Sequence, residues 1–154
     1  MSEEFVCVSA AMTEAAGERL GREAEAGDLI GLQGGIGSGK TTFARGIARG
    51  IGIEASVTSP TFTLVNQYSG PIAMLHVDVW RLDDADEVLS YIEAQTNAPA
   101  ITVVEWSDRP SANLLRPDVT IRLVQGDSPN SRLLTAVTNT ARGIALATAL
   151  RASA

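Results

Sequence analysis

One octapeptide restricts what this chain can fold into more than any other feature. Residues 34–41 fit the pattern G-x-x-x-x-G-K-[ST] of a phosphate-binding loop, with the sequence Gly34-Gly35-Ile36-Gly37-Ser38-Gly39-Lys40-Thr41. Glycines let the backbone turn its N–H groups toward an anion, and a following helix adds the partial positive charge of its N-terminus. Lys40 is the only lysine among twelve basic side chains. Its compact ammonium can reach between β- and γ-phosphate oxygens, for which a planar guanidinium is too wide. The octapeptide therefore predicts a nucleotide-phosphate site.

The segments on either side of the octapeptide are those that such a loop requires. Residues 28–33 have the pattern of a short buried strand, and residues 41–51 that of a helix with an apolar face. Gly50 and Gly52 are interpreted as the signals that stop this helix. The alternative is a glycine-rich turn that holds no ligand, but strand, loop, lysine, threonine and helix stand in the order of a phosphate site. The residues expected to contact phosphate are Gly35, Ile36, Gly37, Ser38, Gly39, Lys40 and Thr41.

Hydrophobic periodicity predicts the remaining elements. It indicates strands over 5–8, 62–68, 72–78, 100–105, 119–124 and 133–139, and helices over 13–26, about 84–94 and about 140–152. Turn sequences at 69–71 and 126–129 predict two β-hairpins, and residues 106–117 are expected to form a loop. We therefore predict an α/β fold, a P-loop NTPase three-layer sandwich with a mixed parallel and antiparallel central sheet. The length of 154 residues favours a single domain over residues 1–154.

Composition narrows the class of partner. The net charge is −6, and the arginines are spread along the chain, whereas independent nucleic-acid binding needs a concentrated basic face. We expect no DNA binding, and any link to nucleic acid to run through a protein partner. No apolar run approaches the roughly 20 residues that span a bilayer, the N-terminus is acidic, and the single cysteine, Cys7, is interpreted as a small buried hydrophobe. These features predict a cytoplasmic protein without a membrane association.

Two of the predicted strands end in an acid, Asp78 and Glu105. Magnesium is held by a few protein oxygens together with waters and phosphates, and the hydroxyl of Thr41, directly after the motif lysine, is its expected first ligand. A carboxylate at the end of a buried strand is the usual second ligand. We favour Glu105 for the metal because its strand is the more continuously apolar, and Asp78 would then orient or activate the attacking water or hold the outer shell of the metal. Either acid could also be structural.

Three further residues near these elements could belong to the site or to the packing of the fold. Thr61 closes a hydroxyl-rich loop, which is either a surface turn or a switch segment that senses the γ-phosphate; sequence alone favours the surface turn. His76, between apolar neighbours on a strand, is interpreted as a structurally satisfied histidine. Trp106 follows Glu105 and serves either packing or contact with adenine or a partner.

Beyond the loop, residues 59–65, 76–82 and 104–108 follow in order as Ser-Pro-Thr-Phe-Thr-Leu-Val, His-Val-Asp-Val-Trp-Arg-Leu and Val-Glu-Trp-Ser-Asp. With these motifs, about residues 27–125 resemble the TsaE (YjeE) family, small bacterial P-loop ATPases of tRNA threonylcarbamoyladenosine (t6A) formation. The resemblance implies ATP and Mg²⁺ as cofactors and the proteins TsaB and TsaD as partners, with tRNA reached only through their complex. ATP hydrolysis would reset that complex between turnovers, while TsaD performs the transfer.

The resemblance also assigns roles to individual residues. It implies that Lys40, Thr41, Thr42 and Glu105 are nucleotide and metal residues, with Lys40, Asp78 and Glu105 serving catalysis. Thr61, Asp78 and Trp106 fall on the family's switch, catalytic and binding positions. Two rival functions stay open, a small-molecule P-loop kinase and a nucleotide-controlled binding module with negligible turnover. A kinase usually needs basic residues to clamp its acceptor, and only Arg81 and Arg109 lie near the predicted site in sequence.

Overall fold

A mixed β-sheet with helices packed on it forms the frame of the protein. The computed structural model describes residues 2–60, 65–79, 90, 94, 99–106 and 116–151, with the backbone alone for Trp106. Within these residues the strands are β1 (Ser2–Cys7), β2 (Leu29–Gln33), β3 (Val65–Tyr68), β4 (Met74–Asp78), β5 (Ile101–Trp106), β6 (Val119–Gln125) and β7 (Arg132–Thr138). The helices are α1 (Ala10–Glu23), α2 (Lys40–Ile51) and α3 (Ala141–Ala149). The predicted α/β class with a mixed sheet is confirmed.

The order of the strands brings the carboxyl ends of β2, β4 and β5 to one edge of the sheet, beside that of β6. The order is β1-β7-β6-β2-β5-β4-β3, with parallel pairing from β6 through β2 and β5 to β4. β1, β7 and β3 run antiparallel to their neighbours, so both predicted hairpins, β3–β4 and β6–β7, are confirmed. Parallel strands end at the same edge. The exit from β2 and the ends of β4 and β5 therefore lie side by side.

The hydrophobic core lies between one face of this sheet and the three helices. Alternate residues along the strands project to the same face, and they join side chains of α1, α2 and α3 in one buried cluster. Fully buried members include Leu20, Ile30, Leu32, Phe43, Ile47, Val103, Ile121 and Leu146. Cys7 belongs to this cluster as predicted, and burial raises the pKa of its thiol. Apart from residues 90 and 94, the helix predicted over about 84–94 lies outside the described residues, as does most of the loop predicted over 106–117. Trp106 itself ends β5.

Capping side chains set where two of the helices begin. Ser9 caps α1, its hydroxyl accepting from the Met12 N–H at 3.1 Å, so this helix starts three residues before the predicted position. Thr140 caps α3 in the same way, accepting from the Gly143 N–H at 3.0 Å. A serine or threonine oxygen satisfies one of the backbone donors that a helix start leaves without a partner.

Glycines allow α1 and α2 to pack with their backbones in direct contact. A Cβ at Gly17 would stand 2.3 Å from the Phe43 carbonyl oxygen, and one at Gly46 would stand 2.1 Å from the backbone carbonyl oxygen of Glu14. Gly50 belongs to the same contact, because its Cβ would meet the Glu18 oxygen at 2.2 Å. The prediction that Gly50 stops the helix is therefore wrong. α2 continues through Gly50 to Ile51 and is capped by Gly52, which has a φ of +98°. The Gly52 N–H donates to the carbonyls of Ala48 and Arg49, as in a glycine C-cap.

An ion pair connects the residue that precedes β2 to α3. The Arg142 guanidinium donates from Nε to Asp28 Oδ1 at 3.1 Å and from a terminal nitrogen to Oδ2 at 2.8 Å. The second oxygen of Asp28 also accepts from the Glu25 N–H at 2.7 Å. The hydrogen bonds to the Asp28 carboxylate raise the pKa of Arg142 above its ordinary value. The pair anchors the strand that leads into the phosphate-binding loop.

Candidate nucleotide-binding site

The loop between β2 and α2 has a backbone that only glycine accommodates. Gly37 and Gly39 adopt φ values of +76° and +103°, a region that L side chains avoid. Gly34 is required for space, since a Cβ there would stand 2.4 Å from Ser38 Oγ and 2.6 Å from the Leu123 carbonyl oxygen. By contrast, a Cβ at Gly35 or Gly37 would meet nothing within 4 Å. The loop is therefore tightly bent and has open space on its outer side.

The first turn of α2 presents positive charge beside this loop. Lys40 is the first residue of α2, and its Nζ donates to the carbonyl oxygens of Gly34 at 2.6 Å and Gly35 at 3.0 Å. The helix has no acidic residue in its first turn, and its N-cap, Gly39, makes no side-chain capping bond, unlike the N-caps of α1 and α3. The early N–H groups of a helix need partners from outside it. Together with Thr41 and Thr42 in the same turn, they can bind an anion.

The two predicted acids lie at the sheet edge where this loop begins. Asp78 and Glu105 are register partners at the ends of β4 and β5, and Glu105 is paired in turn with Leu32 of β2. Register partners in parallel strands project to the same face, and Leu32 belongs to the core on the α2 side. Both carboxylates are buried, with 8% and 4% of their residue surface exposed. The structure therefore brings loop, Lys40 and both acids to one end of the sheet.

His76 differs from its sequence interpretation. The ring is fully buried on the same face, two residues before Asp78, and its Nε2 lies 3.2 Å from Glu105 Oε1. The two groups are close but not aligned for a hydrogen bond, and neither ring nitrogen nor Glu105 Oε1 has a hydrogen-bond partner within the described residues. Within the described residues the ring thus has a carboxylate neighbour without an aligned hydrogen bond, which departs from the satisfied core histidine interpreted from the sequence.

Glu105 Oε1 makes no aligned hydrogen bond among the described residues, although His76 Nε2 lies 3.2 Å away. Buried polar atoms in proteins nearly always have a partner, so an exception needs a ligand, a water or a functional reason. In the part of the chain that the structure describes, no group of three or more His, Cys, Asp or Glu side chains is arranged to hold a metal. The donors at this edge, one carboxylate and a threonine hydroxyl, match the few protein oxygens that Mg²⁺ takes beside phosphate and water.

Thr61 and Trp106 are the two remaining predicted site residues. Thr61 lies outside the described residues. The backbone of Trp106 pairs with Gln33 at the end of β2, which puts it beside the start of the loop. Ile36, at the tip of the loop, has its side chain completely exposed.

Among the described helices none is both long and apolar enough to cross a bilayer.

Arg132 contacts the loop and is not predicted from the sequence. It is the first residue of β7, and its Nε and one terminal nitrogen donate to the carbonyl oxygens of Ser38 at 2.9 Å and Gly37 at 3.1 Å. The other terminal nitrogen donates to the carbonyls of Pro129 at 2.6 Å and Ser131 at 2.7 Å. It lies more than ninety residues from the loop in sequence, and no local motif marks it. Only the pairing of β6 with β2 and β7 brings it there.

Comparison with known proteins agrees with this architecture. The family model for "Threonylcarbamoyl adenosine biosynthesis protein TsaE" matches residues 7–133. Relatives named tRNA threonylcarbamoyladenosine biosynthesis protein TsaE include that of Treponema pallidum, 39% identical over 121 residues that cover 76% of this chain and 89% of the relative. That of Bacillus subtilis is 36% identical over 118 residues, covering 75% of this chain and 74% of the relative.

A solved structure extends the similarity to the whole fold. The crystal structure of Bacillus subtilis YdiB superimposes with a TM-score of 0.75 at 27% identity, covering 97% of this chain and 94% of that one. The sequence resemblance is thereby confirmed on independent grounds. The chain belongs to the TsaE family, the proteins of tRNA threonylcarbamoyladenosine biosynthesis.

Proposed function

We propose that this chain is a Mg²⁺-dependent ATPase that acts with TsaB and TsaD in t6A formation, its hydrolysis resetting their complex between turnovers. Family membership supports the pathway. The observation that carries the hydrolysis is the meeting of a phosphate-binding loop with the buried carboxylates of Asp78 and Glu105 at one sheet edge. Phosphoryl transfer demands mainly positioning and neutralisation of charge, and this edge holds groups for both.

Phosphate binding falls to the loop and the first turn of α2. The backbone N–H groups of residues 35–42 would bind the phosphate oxygens in the open space beside the loop. Lys40 now donates to two neutral carbonyls. A hydrogen bond to an ionised phosphate is roughly twice as strong as one to a neutral acceptor, so Lys40 would exchange these carbonyls for the β- and γ-phosphates.

Thr41 and Glu105 would hold the metal. Strand order separates the roles of the two acids, because β5 is next to β2 while β4 lies one strand further away. Neighbouring strands are about 4.8 Å apart, which makes Glu105 the nearer carboxylate to the loop and leaves Asp78 to orient or activate the attacking water. Bound Mg²⁺ would neutralise charge that develops on the phosphate oxygens. Thr61 as γ-phosphate sensor and Trp106 as nucleotide contact complete the proposed site.

The charge of the chain supports an indirect route to tRNA. With a net charge of −6, the protein would be repelled by a phosphate backbone unless a basic partner stands between them. We therefore propose that TsaB and TsaD carry the tRNA contact, and that the protein acts in the cytoplasm, where these partners meet tRNA.

The test is phosphate release from ATP by the purified protein alone, with TsaB–TsaD, and with TsaB–TsaD plus tRNA. Lys40→Ala serves as the matched control in every mixture. We expect slow phosphate release by the protein alone and faster release in the presence of TsaB–TsaD. The Lys40→Ala variant should show no such increase. A preparation that binds ATP but is not stimulated would overturn the partner assignment. Transfer of the phosphoryl group to a small acceptor instead of water would overturn the ATPase assignment in favour of a kinase.

A further inference from the structure

Arg132 braces the phosphate-binding loop from the side opposite its N–H groups. A guanidinium has five N–H donors, and four of the hydrogen bonds that Arg132 makes go to backbone carbonyls, two in the loop and two in the β6–β7 turn. So many bonds leave it little capacity to bind a ligand directly. Its contact with the nucleotide site is thus through the loop backbone.

The peptide geometry shows what this brace does. In a trans peptide the C=O and N–H bonds point in opposite directions. The Gly37 carbonyl shares a peptide with the Ser38 N–H, and the Ser38 carbonyl shares one with the Gly39 N–H. When Arg132 draws both carbonyls toward itself, it turns both N–H groups away from itself and into the loop. The Ser38 N–H does point inward, since it donates to the Gly35 carbonyl at 3.2 Å.

The β6–β7 turn does not depend on Arg132 to the same degree. Its own residues close it: Ser131 Oγ accepts from the Ser128 N–H at 2.9 Å and donates to the Ser128 carbonyl at 3.0 Å. The Gly126 N–H also donates to the Ser131 carbonyl at 2.9 Å, and the Ser131 N–H to the Ser128 carbonyl at 3.1 Å. Among the described residues, the other hydrogen bonds of the loop are the Ser38–Gly35 bond, the bond from the Phe43 N–H to the Gly39 carbonyl and the two Lys40 bonds. A bound phosphate would compete for Lys40.

We propose that Arg132 is a positioning residue that keeps the 37–38 and 38–39 peptides turned with their N–H groups facing into the loop, and that it ties the loop to the β6–β7 turn. This inference rests on the nucleotide binding of the proposed function. Arg132 contacts the loop in the absence of nucleotide. Replacing it should therefore also change the loop backbone of the nucleotide-free protein. A lysine in its place could reach one carbonyl but could not hold two peptides in a fixed geometry.

The first experiment measures amide hydrogen exchange of the loop without nucleotide, in the wild type, Arg132→Gln and Arg132→Lys. Arg122→Gln is the matched control, because it removes the same charge from the neighbouring strand, where within the described residues Arg122 bonds only to the Gln33 side chain, Nε to Oε1 at 2.9 Å. We expect faster exchange at Ser38, whose N–H donates to the Gly35 carbonyl, in both Arg132 variants and no change there in the control. Unchanged exchange in the Arg132 variants would overturn the inference, and it would do so whether or not the wild type binds ATP.

The second experiment measures the affinities for ATP and ADP by calorimetry, with urea unfolding on the same samples. Loss of two charge-assisted hydrogen bonds predicts that Arg132→Gln weakens both nucleotides about tenfold or more. Arg132→Lys, which keeps the charge and is the safer variant for folding, should also bind both more weakly. Equal loss for ATP and ADP supports positioning, whereas loss for ATP alone would mean a direct contact with the γ-phosphate and would refute it. Failure of the wild type to bind either nucleotide would instead refute the proposed function.

Discussion

Replacing Gly46 by alanine tests the close contact between α1 and α2. Helix propensity predicts a higher free energy of unfolding for the variant, whereas a clash between the two backbones predicts a lower one. In a helix interior alanine is favoured over glycine by about 1 kcal/mol, so an isolated helix would be stabilised. In this structure the new Cβ would stand 2.1 Å from the Glu14 carbonyl oxygen and 2.9 Å from the Glu18 nitrogen. Both are backbone atoms, which cannot move aside by changing a rotamer.

The geometry indicates that the clash outweighs the helix propensity. Carbon and carbonyl oxygen normally approach to about 3.3 Å, so the two helices must separate by roughly 1 Å. The fully buried Phe43 and Ile47 of α2 would then lose part of their packing. Overpacking of this kind costs about 1–3 kcal/mol, and the tight backbone contact places Gly46 at the upper end. After subtraction of the helix propensity, we expect a net destabilisation of about 2 kcal/mol.

Urea unfolding followed by circular dichroism measures this difference. Arg45→Ala is the control, since that side chain is exposed on the same helix and its removal should change the free energy of unfolding by less than about 0.5 kcal/mol. For a chain of this length a loss of 2 kcal/mol also lowers Tm by about 4–8 °C. A Gly46→Ala protein that is as stable as the wild type, or more stable, would refute the close approach of the helices.

Three further predictions concern the site and the anchor of β2. Lys40→Ala should weaken ATP binding by about tenfold or more, since a charge-assisted bond to phosphate is lost; calorimetry showing tight binding would contradict the phosphate role. Glu105→Gln and Asp78→Asn should each lower phosphate release more than ATP affinity, and unchanged turnover in both would make the acids structural. Arg142→Ala leaves the buried Asp28 carboxylate without its cation and should lower the free energy of unfolding by about 2 kcal/mol. This loss is smaller than for a fully buried pair because the arginine side chain is one-third exposed. A loss below about 0.5 kcal/mol in urea unfolding would show that the pair is solvated.

Patterns that act over a few residues are readable from the chain alone. The loop 34–41 is recognisable because its glycines, lysine and threonine stand at fixed spacings, and the strand and helix beside it follow from their periodicity. Both hairpins are predicted correctly because each depends on one turn sequence between two alternating segments. The start of α1 is missed by three residues, since a cap at Ser9 outweighs the apolar pattern that begins later.

Other features depend on what the fold brings near each residue. Gly50 has the same sequence signature whether it ends a helix or allows another helix to touch its backbone, and only the packing of α1 decides. His76 looks like an ordinary core histidine until the register of β4 and β5 places Glu105 beside it. Strand order likewise separates Asp78 from Glu105, which the sequence can describe only as two acids that end strands.

By itself, the sequence determined the phosphate-binding loop, the class of the fold and the identity of the two candidate carboxylates. These follow from short-range stereochemistry: glycine at positive φ, apolar periodicity and the side chains that phosphate and magnesium require. The tertiary structure alone decided that both acids share an edge with the loop, and that Arg132 reaches that loop from more than ninety residues away. Such contacts arise because strand pairing joins segments with no pattern in common, so the chain carries no local mark of them before it folds.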